Sequence, residues 1–170
     1  MSGGQPRIPA RLHREVAGTA RLLKGLVHPS LPLTLEAPTG VALEYLASRA
    51  LPDTVRRQIR CRSAVYTAWD VQGQCRYVGS VCRGGATAVG DRLAEHFRYV
   101  AKGQRRRADW ALLTVIPIRP DAPLDVVRAA EGWAARRLAP LDGSAHPRIE
   151  LDRPPSVLAR ELDAHRLVHI

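Results

Sequence analysis

The stretch that decides the fold runs from Ala64 to Val81 and reads AVYTAWDVQGQCRYVGSV. Residues 64–70 and 75–81 are rich in β-branched, aromatic and small apolar side chains, and the glycine-containing segment VQGQ separates them. Two such runs around a short polar turn predict a β-hairpin. Because side chains alternate along a strand, Tyr66 on the first arm and Tyr77 on the second can point to one face.

The sequence after the hairpin predicts further alternating elements. Residues 83–90 (RGGATAVG) read as a flexible loop, and residues 91–102 predict a helix with Asp91 as its N-cap. The apolar run at 111–118 predicts a buried strand, and residues 124–138 predict a second helix. This order predicts an α/β fold of the α+β type, in which helices flank a small, three-stranded, mainly antiparallel sheet.

Helices are also predicted on both sides of this core. Residues 7–27 have an apolar period of 3.6 residues, which predicts an amphipathic helix, and a second helix is predicted at about 39–50. The opposite face of the first helix suits either solvent or a phosphate backbone, and it carries Arg11, Arg14 and Arg21. Near the other end, Ser156 can cap a last helix that runs to about Leu167.

Positive charge is concentrated in the first 110 residues. The net charge is +10, and residues 1–63 carry ten basic and four acidic side chains, residues 64–110 eight and four, and residues 111–170 eight of each. Of the 26 basic residues, only Lys24 and Lys102 are lysine. Arginine binds phosphate oxygens well through paired hydrogen bonds. The uneven distribution of positive charge along the chain favours a polyanionic partner. The arginine bias, beside many alanines and prolines, equally fits a GC-rich genome.

Other sequence features exclude several classes of protein. The N-terminus has no apolar core typical of a signal peptide, and the run at 111–118 is too short to span a membrane. The odd number of cysteines, without a CxxC spacing, indicates reduced thiols rather than a zinc site or disulfides. We therefore expect a soluble, cytoplasmic protein.

Three side chains outside the hairpin are candidates for chemistry. Arg92 and His96 are spaced i, i+4, so they share one face of the predicted helix, and that face is not the apolar one. Glu131 lies in the predicted helix 124–138. Taken singly, each of these residues also suits an ordinary solvated surface, and tyrosines in half-buried strands usually pack.

Taken in order, these residues resemble the GIY-YIG nuclease family. The first motif reads Ala64-Val65-Tyr66 and the second reads Tyr77-Val78-Gly79, with the two tyrosines eleven residues apart. The family's helix arginine matches Arg92, with Arg83 as an alternative, and its metal-binding glutamate matches Glu131. His96 matches a histidine that some members carry. The resemblance covers residues 64 to about 146.

The chain departs from the family pattern in three ways. Ala64 replaces the first glycine, the loop at 83–90 is longer than in compact members, and no asparagine follows the glutamate helix. Asp142, Ser144 or His146 can stand in for that asparagine. The missing asparagine concerns the surroundings of the site more than its identity, and the longer loop is the reason for keeping Arg83 as the alternative to Arg92.

The resemblance implies phosphodiester hydrolysis at a single divalent metal ion, Mg²⁺ or Mn²⁺. Tyr66 would act as general base, Arg92 would bind the phosphate, and Glu131 would hold the metal. Tyr77 would hydrogen-bond the phosphate or the attacking water, and His96 would help to position the proton.

The whole chain then divides into a basic helical extension at 1–63 for DNA binding or dimerisation, a nuclease core at 64–146 and a C-terminal helical tail at 147–170. We expect an endonuclease acting on duplex DNA in a restriction or defence setting, as a homodimer if it cuts both strands. A structure-specific repair or recombination nuclease, and a catalytically weak DNA-binding protein on the same fold, are the alternatives. Further DNA contacts are predicted at Arg83, Arg105, Arg106 and Arg107.

Overall fold

The computed structural model describes residues 9–29, 41–42, 60–92, 95, 110–142 and 152–168, with residues 41 and 42 described through their backbone alone. The elements, in chain order, are α1 (Ala10–Leu22), β1 (Val41–Ala42), β2 (Ser63–Trp69), β3 (Cys75–Cys82), β4 (Leu112–Pro117), α2 (Leu124–Leu138) and α3 (Pro155–Val168). Residues 88–92 and Glu95, between β3 and β4, are also helical. The predicted class, helices around a small antiparallel sheet, is confirmed.

The predicted hairpin is the pair β2 and β3, which are antiparallel neighbours. Its turn is built by Asp70, whose Oδ1 accepts the backbone amides of Gln72 at 3.0 Å and Gln74 at 2.9 Å. Gly73 has a φ of +77°, a conformation that side chains with a Cβ rarely adopt. Local residue choice therefore sets both the position and the tightness of this turn.

The sheet has the strand order β1-β4-β2-β3, with all neighbours antiparallel. Strand β2 is central and buried along its whole length. Its buried Thr67 hydroxyl is hydrogen-bonded to that of Thr114 on β4, and Trp69 Nε1 donates to Thr67 Oγ1 at 2.8 Å. The polar atoms inside the sheet are thus paired, as burial requires.

Strand β1 is an addition to the three predicted strands. Val41 and Ala42 pair with Leu113 and Leu112 at the far edge of the sheet. The helix predicted at about 39–50 is therefore wrong at these two residues, and its remainder lies outside the described residues. Pairing with a distant strand decided the backbone here, and no local period signals such pairing.

Each face of the sheet carries its own hydrophobic cluster. One face packs against α1, α2 and α3, and its cluster includes Leu12, Leu23, Val65, Val78, Ile116, Val127, Ala130 and Leu158. The other face carries a smaller cluster that includes Tyr66, Val81, Ala88, Val89 and Trp110. Each fully buried aliphatic side chain contributes about 1.5–3 kcal/mol. Residues from the predicted extension and tail thus share one core with the sheet, while the three-part division stays a prediction.

Two helix boundaries differ from the sequence predictions for local reasons. The first helix, predicted at 7–27, spans Ala10–Leu22, because Gly25 turns the chain with a φ of +89° and Val27 then bridges to Ile118. The last helix begins at Pro155, so Ser156 lies inside its first turn rather than capping it. Proline fits this place because the first helical residue needs no amide donor.

The segment that leads to Arg92 also differs from the prediction. Residues 83–90 were expected to be loop, but the helix has begun by residue 88. Asp91 is consequently inside the helix and is not its N-cap: its amide donates to the Thr87 carbonyl at 2.9 Å. The Thr87 hydroxyl in turn donates to Asp91 Oδ2 at 3.1 Å. The earlier start shortens the glycine-rich loop that separates β3 from Arg92.

Helix α2, which carries Glu131, has the predicted bounds. Pro123 precedes it, Asp125 lies in its first turn and Arg136 and Arg137 in its last, in keeping with the helix dipole. The chain leaves the helix through Ala139, whose φ of +45° is left-handed. None of the helices among the described residues is long and apolar enough to cross a membrane.

Candidate active site at the edge of the sheet

Tyr66 and Gly79 form the centre of the candidate site. They are cross-strand partners in β2 and β3, and the Tyr66 side chain is buried, with 1% of the residue exposed. A Cβ on Gly79 would lie 2.5 Å from the Tyr66 hydroxyl oxygen and 2.8 Å from Cε1 of Tyr77. Position 79 therefore has room for glycine alone while Tyr66 keeps its place. This contact gives the glycine of the second motif a physical reason.

Tyr77 joins Tyr66 to a second aromatic side chain. The two tyrosine ring centroids are 6.1 Å apart, and the Tyr77 and Trp110 centroids are 5.1 Å apart. Trp110 Nε1 donates to Asp142 Oδ2 at 3.1 Å, and Arg76 binds the same carboxylate with Nε at 3.0 Å and Nη2 at 2.7 Å. The sequence predictions did not include Trp110, although a tryptophan directly before a buried strand is a signal for packing.

Asp142 was one of three residues suggested in place of the family asparagine. Its carboxylate accepts hydrogen bonds from Arg76 and Trp110, and its backbone amide donates to the Arg76 carbonyl at 2.7 Å. Asp142 thus ties the chain after α2 to β3 and supports the packing of Tyr77. Ser144 and His146 lie outside the described residues.

Arg92 reaches the Tyr66 hydroxyl from the helical segment 88–92. Its guanidinium hydrogen-bonds that hydroxyl, and its Nη1 lies 2.7 Å from Glu95 Oε2. Arg83 binds the same carboxylate, with Nη1 2.7 Å from Oε1 and Nη2 3.4 Å from Oε2. We call Arg83, Arg92, Glu95 and Tyr66 the Glu95 cluster. Both arginines proposed for the family position are therefore at this site, and Arg92 is the one beside the tyrosine.

The pKa of the Tyr66 phenol is raised well above its usual value. Burial is the main cause and the neighbouring Tyr77 adds to it, while the Arg92 charge and hydrogen bond act in the opposite direction. In contrast, the hydrogen bonds from Arg83 and Arg92 lower the pKa of Glu95 to about 2. Near neutral pH, Tyr66 is therefore protonated and Glu95 is charged.

Glu131 approaches strand β3 from the other face of the sheet. The Ser80 hydroxyl donates to Glu131 Oε2 at 2.5 Å, and Ser80 directly follows Gly79 in the strand. Gly79 lies beneath Tyr66, whereas α2 packs on the opposite face. The Tyr66 part and the Glu131 part of the candidate site therefore lie on opposite faces of the edge strand β3. Ser80 and Glu95 are partners that sequence reasoning missed.

The described residues at this edge fit a metal site that uses a single carboxylate ligand. The part of the chain that the structure describes contains no group of three His, Cys, Asp or Glu side chains that could share a metal ion. Magnesium is often held by one or two carboxylates, with water and substrate phosphate as the other ligands. Glu131, a half-buried carboxylate beside the Ser80 hydroxyl, suits that second arrangement.

The remaining predicted residues fall in two groups. Arg11, Arg14 and Arg21 are exposed on α1, on the side away from its buried Leu12 and Val16, as predicted. Four others lie outside the described residues, namely His96, Arg105, Arg106 and Arg107. The proposed nucleic-acid contacts of both groups stay predictions.

Comparisons of the chain with protein-family models, with characterised proteins and with solved structures gave no match. The resemblance to the GIY-YIG nucleases consequently stays a prediction that rests on the residues themselves.

Proposed function

We propose that this protein is a metal-dependent endonuclease that hydrolyses phosphodiester bonds of duplex DNA. The observation that carries the proposal is the Glu95 cluster, where a buried tyrosine hydroxyl is hydrogen-bonded by Arg92 within a group of two arginines and one carboxylate. Two guanidinium groups and a phenol at one point are suited to the oxygens of a phosphate. A purely structural tyrosine in a sheet needs no such charge.

The residues divide the proposed chemistry among them. Arg92 would donate paired hydrogen bonds to the non-bridging oxygens of the scissile phosphate, and Tyr77 would position the phosphate or the attacking water. Glu131 is the residue that would hold a magnesium or manganese ion. That ion, when bound, supplies positive charge to the phosphate and to the leaving oxygen. The excess of basic residues in the first 110 positions supports a polyanionic substrate.

The role of Tyr66 follows from its protonation. Because burial raises the pKa of its phenol, the resting protein holds the proton on Oη, where it can donate a hydrogen bond to the phosphate. A general base must instead give up that proton before it accepts another. The two roles predict different pH dependence. A phenol that must lose its proton to act as a base would make the rate rise about tenfold per pH unit near neutrality, whereas a hydrogen-bond donor would leave the rate flat.

The proposed setting is the cytoplasm, with restriction or defence as the biological role and a homodimer as the form that cuts both strands. A catalytically weak DNA-binding protein is the second candidate function. The raised pKa of Tyr66 favours this candidate, because it opposes the general-base role. A repair or recombination nuclease would differ from the first proposal in its substrate, since it would cut branched DNA only.

One cleavage assay tests these proposals. The purified chain is incubated with plasmid, linear duplex, branched DNA and RNA, in Mg²⁺, Mn²⁺ or EDTA. We expect metal-dependent cutting of duplex DNA by the wild type, and strong loss in Tyr66→Phe and Glu131→Gln. Asp125→Asn is the matched control, because it removes an exposed carboxylate from the same helix as Glu131.

Each result has a defined reading. Failure of the wild type to cut any substrate with either metal, while it still binds duplex DNA, would favour the DNA-binding protein. Cutting confined to branched DNA would favour the repair nuclease. Equal loss in Glu131→Gln and Asp125→Asn would reject Glu131 as the metal ligand.

A further inference from the structure

A second concentration of arginines lies away from the tyrosines, between α1 and α2. A depression of about 620 Å³ opens there on the surface. It is lined by His13, Arg14, Glu15, Ala17, Arg21 and Arg137. Since α1 and α2 pack on the face of the sheet opposite Tyr66, this depression lies on the other face from the Glu95 cluster.

Arg137 is held in the depression by a close approach to helix α1. A Cβ on Gly18 would lie 2.0 Å from Nη2 of Arg137 and 2.6 Å from its Cζ. The guanidinium therefore rests against the helix at the one buried position that lacks a side chain. Glycine in a helix interior lowers helix stability relative to alanine, and a side chain added at this position would make the Arg137 guanidinium move.

The charges in the depression do not balance. Three guanidinium groups face one carboxylate, Glu15, whose Oε2 lies 3.6 Å from Nη2 of Arg137. The described residues offer no ion-pair partner for Arg14 or Arg21, which lie two helical turns apart on one face of α1. By contrast, the ion pair between Arg92 and Glu95 measures 2.7 Å. The depression thus presents positive charge that an anion can neutralise.

We propose that this depression binds a phosphate group of the nucleic-acid backbone, at a distance from the bond that is cut. Arginine pairs with phosphate through parallel hydrogen bonds, and the exposed guanidinium groups of Arg14 and Arg21 on α1 together with Arg137 of α2 form a suitable set. The proposal rests on the proposed function, because that function supplies nucleic acid as the ligand. A polyanion suits the depression better than a small phosphate ester, since the exposed Arg11 and the net charge of residues 1–63 extend the positive surface around it.

Binding of a labelled short DNA duplex in EDTA, where no cleavage occurs, tests this inference. The variants are Arg14→Ala, Arg137→Ala and Gly18→Ala, and the matched control is Arg160→Ala, an exposed arginine of helix α3 that does not line the depression. Gly18→Ala changes no charge but removes the space that Arg137 occupies. We expect each of the three variants to weaken binding about three- to tenfold and to lower the salt slope by about one.

The control and the stability readout make the result decisive. Arg160→Ala should change affinity much less than Arg14→Ala, and Gly18→Ala should keep or raise the melting temperature. Equal effects of Arg160→Ala and Arg14→Ala would overturn the site in favour of a diffuse positive face. Inorganic phosphate that binds the wild type but not Arg137→Ala, with unchanged duplex affinity, would overturn the assignment to a nucleic-acid backbone.

The two proposals fail separately. Duplex binding that depends on Gly18 and Arg137, without any cleavage in Mg²⁺ or Mn²⁺, would reject the nuclease and keep the phosphate site. If the wild type cleaves DNA and the Gly18→Ala and Arg137→Ala variants bind the duplex as tightly as it does, the phosphate site is rejected and the nuclease proposal is kept.

Discussion

Two arginine-centred clusters among the described residues have similar contact distances and differ in charge. In the Glu95 cluster, two arginines share one carboxylate. In what we call the Arg119 cluster, one arginine binds two carboxylates, Asp121 and Asp163, each at 2.7 Å, and its Nη1 also donates to the Gly25 carbonyl at 3.3 Å. The shortest contacts in both clusters measure 2.7 Å, so distance does not distinguish the two clusters.

The Glu95 cluster and the Arg119 cluster differ in their net charge and in the segments of the chain that they connect. Arg119 is 7% exposed, its positive charge is outnumbered, and it joins the turn after α1, the end of β4 and helix α3. The Glu95 cluster carries an excess of positive charge beside Tyr66 and lies within one short stretch of chain and its neighbouring strand. An excess of positive charge, as in the Glu95 cluster, is stabilised when a ligand of opposite charge binds. A neutralised arginine that links three segments, as in the Arg119 cluster, stabilises the fold.

The largest effect is expected from Arg92→Ala. Cleavage should fall by about 10²–10³-fold, the loss seen when one preorganised donor to a reacting oxyanion is removed. The free energy of unfolding should change by less than about 1 kcal/mol, because the ion pair is partly exposed. Cleavage rates and urea melts measure the two quantities, with Arg160→Ala as an exposed-arginine control. Unchanged cleavage would contradict the proposed role of the Glu95 cluster in catalysis.

Arg119→Ala should give the opposite pattern. We expect a loss of about 2 kcal/mol in the free energy of unfolding, since the charged hydrogen bonds that join three segments disappear. Cleavage per folded molecule should stay unchanged. Arg166→Ala is the control, because Arg166 lies 3.8 Å from the same Asp121 and is 70% exposed. It should cost less than about 0.5 kcal/mol. A similar loss in both variants would contradict the structural role of Arg119.

Gly79→Ala should move Tyr66 without touching any charge. The added methyl group would overlap the Tyr66 hydroxyl, and forced repacking of this kind costs about 1–3 kcal/mol. Cleavage should fall as well, since the tyrosine leaves its place beside Arg92. Gly84→Ala is the control, because a Cβ there meets nothing within 4 Å. If both variants behave as the wild type, Gly79 does not position Tyr66.

Alkaline pH should lower the stability of the folded chain through the buried ionisable groups around Tyr66. Burial raises the pKa of the Cys61 thiol in the same cluster to about 12 and also raises that of the Tyr66 phenol. Both groups stay protonated in the folded chain while the unfolded chain ionises, so their stabilisation is present at neutrality and is lost above about pH 9–10. Melting temperatures from about pH 8 to about pH 11 should fall less steeply in Tyr66→Phe than in the wild type. Parallel curves would argue against a buried, protonated Tyr66.

The smallest effect is expected from Glu95→Gln. Removing the shared carboxylate leaves both arginines to the DNA phosphates, so affinity for a short duplex in EDTA should rise about three- to tenfold. Asp163→Asn in the Arg119 cluster is the matched control and should leave affinity unchanged. Weaker binding by Glu95→Gln would mean that Glu95 holds the arginines in place for the substrate rather than competing with it.

The hairpin and helix α2 were predictable because their signals are local. The turn depends on Asp70 and on the left-handed Gly73, and α2 depends on Pro123 and an apolar period. Tyr66 and Tyr77 share one face because of alternation together with the strand register, which shifts between Ala68 and Trp69. Strand β1 was missed because its pairing partner is distant in sequence, and the early start of the helix before Arg92 was hidden by glycines that favour a loop.

The sequence by itself determined which residue types stand in which order: two tyrosines on a hairpin, an arginine on the next helix and a glutamate on the last core helix. Only the tertiary structure decided what those side chains meet. It put Tyr66 over Gly79, gave Arg83 and Arg92 one carboxylate to share, and set Arg137 against Gly18. These contacts join residues from different elements, so they depend on how strands and helices pack and not on any local pattern.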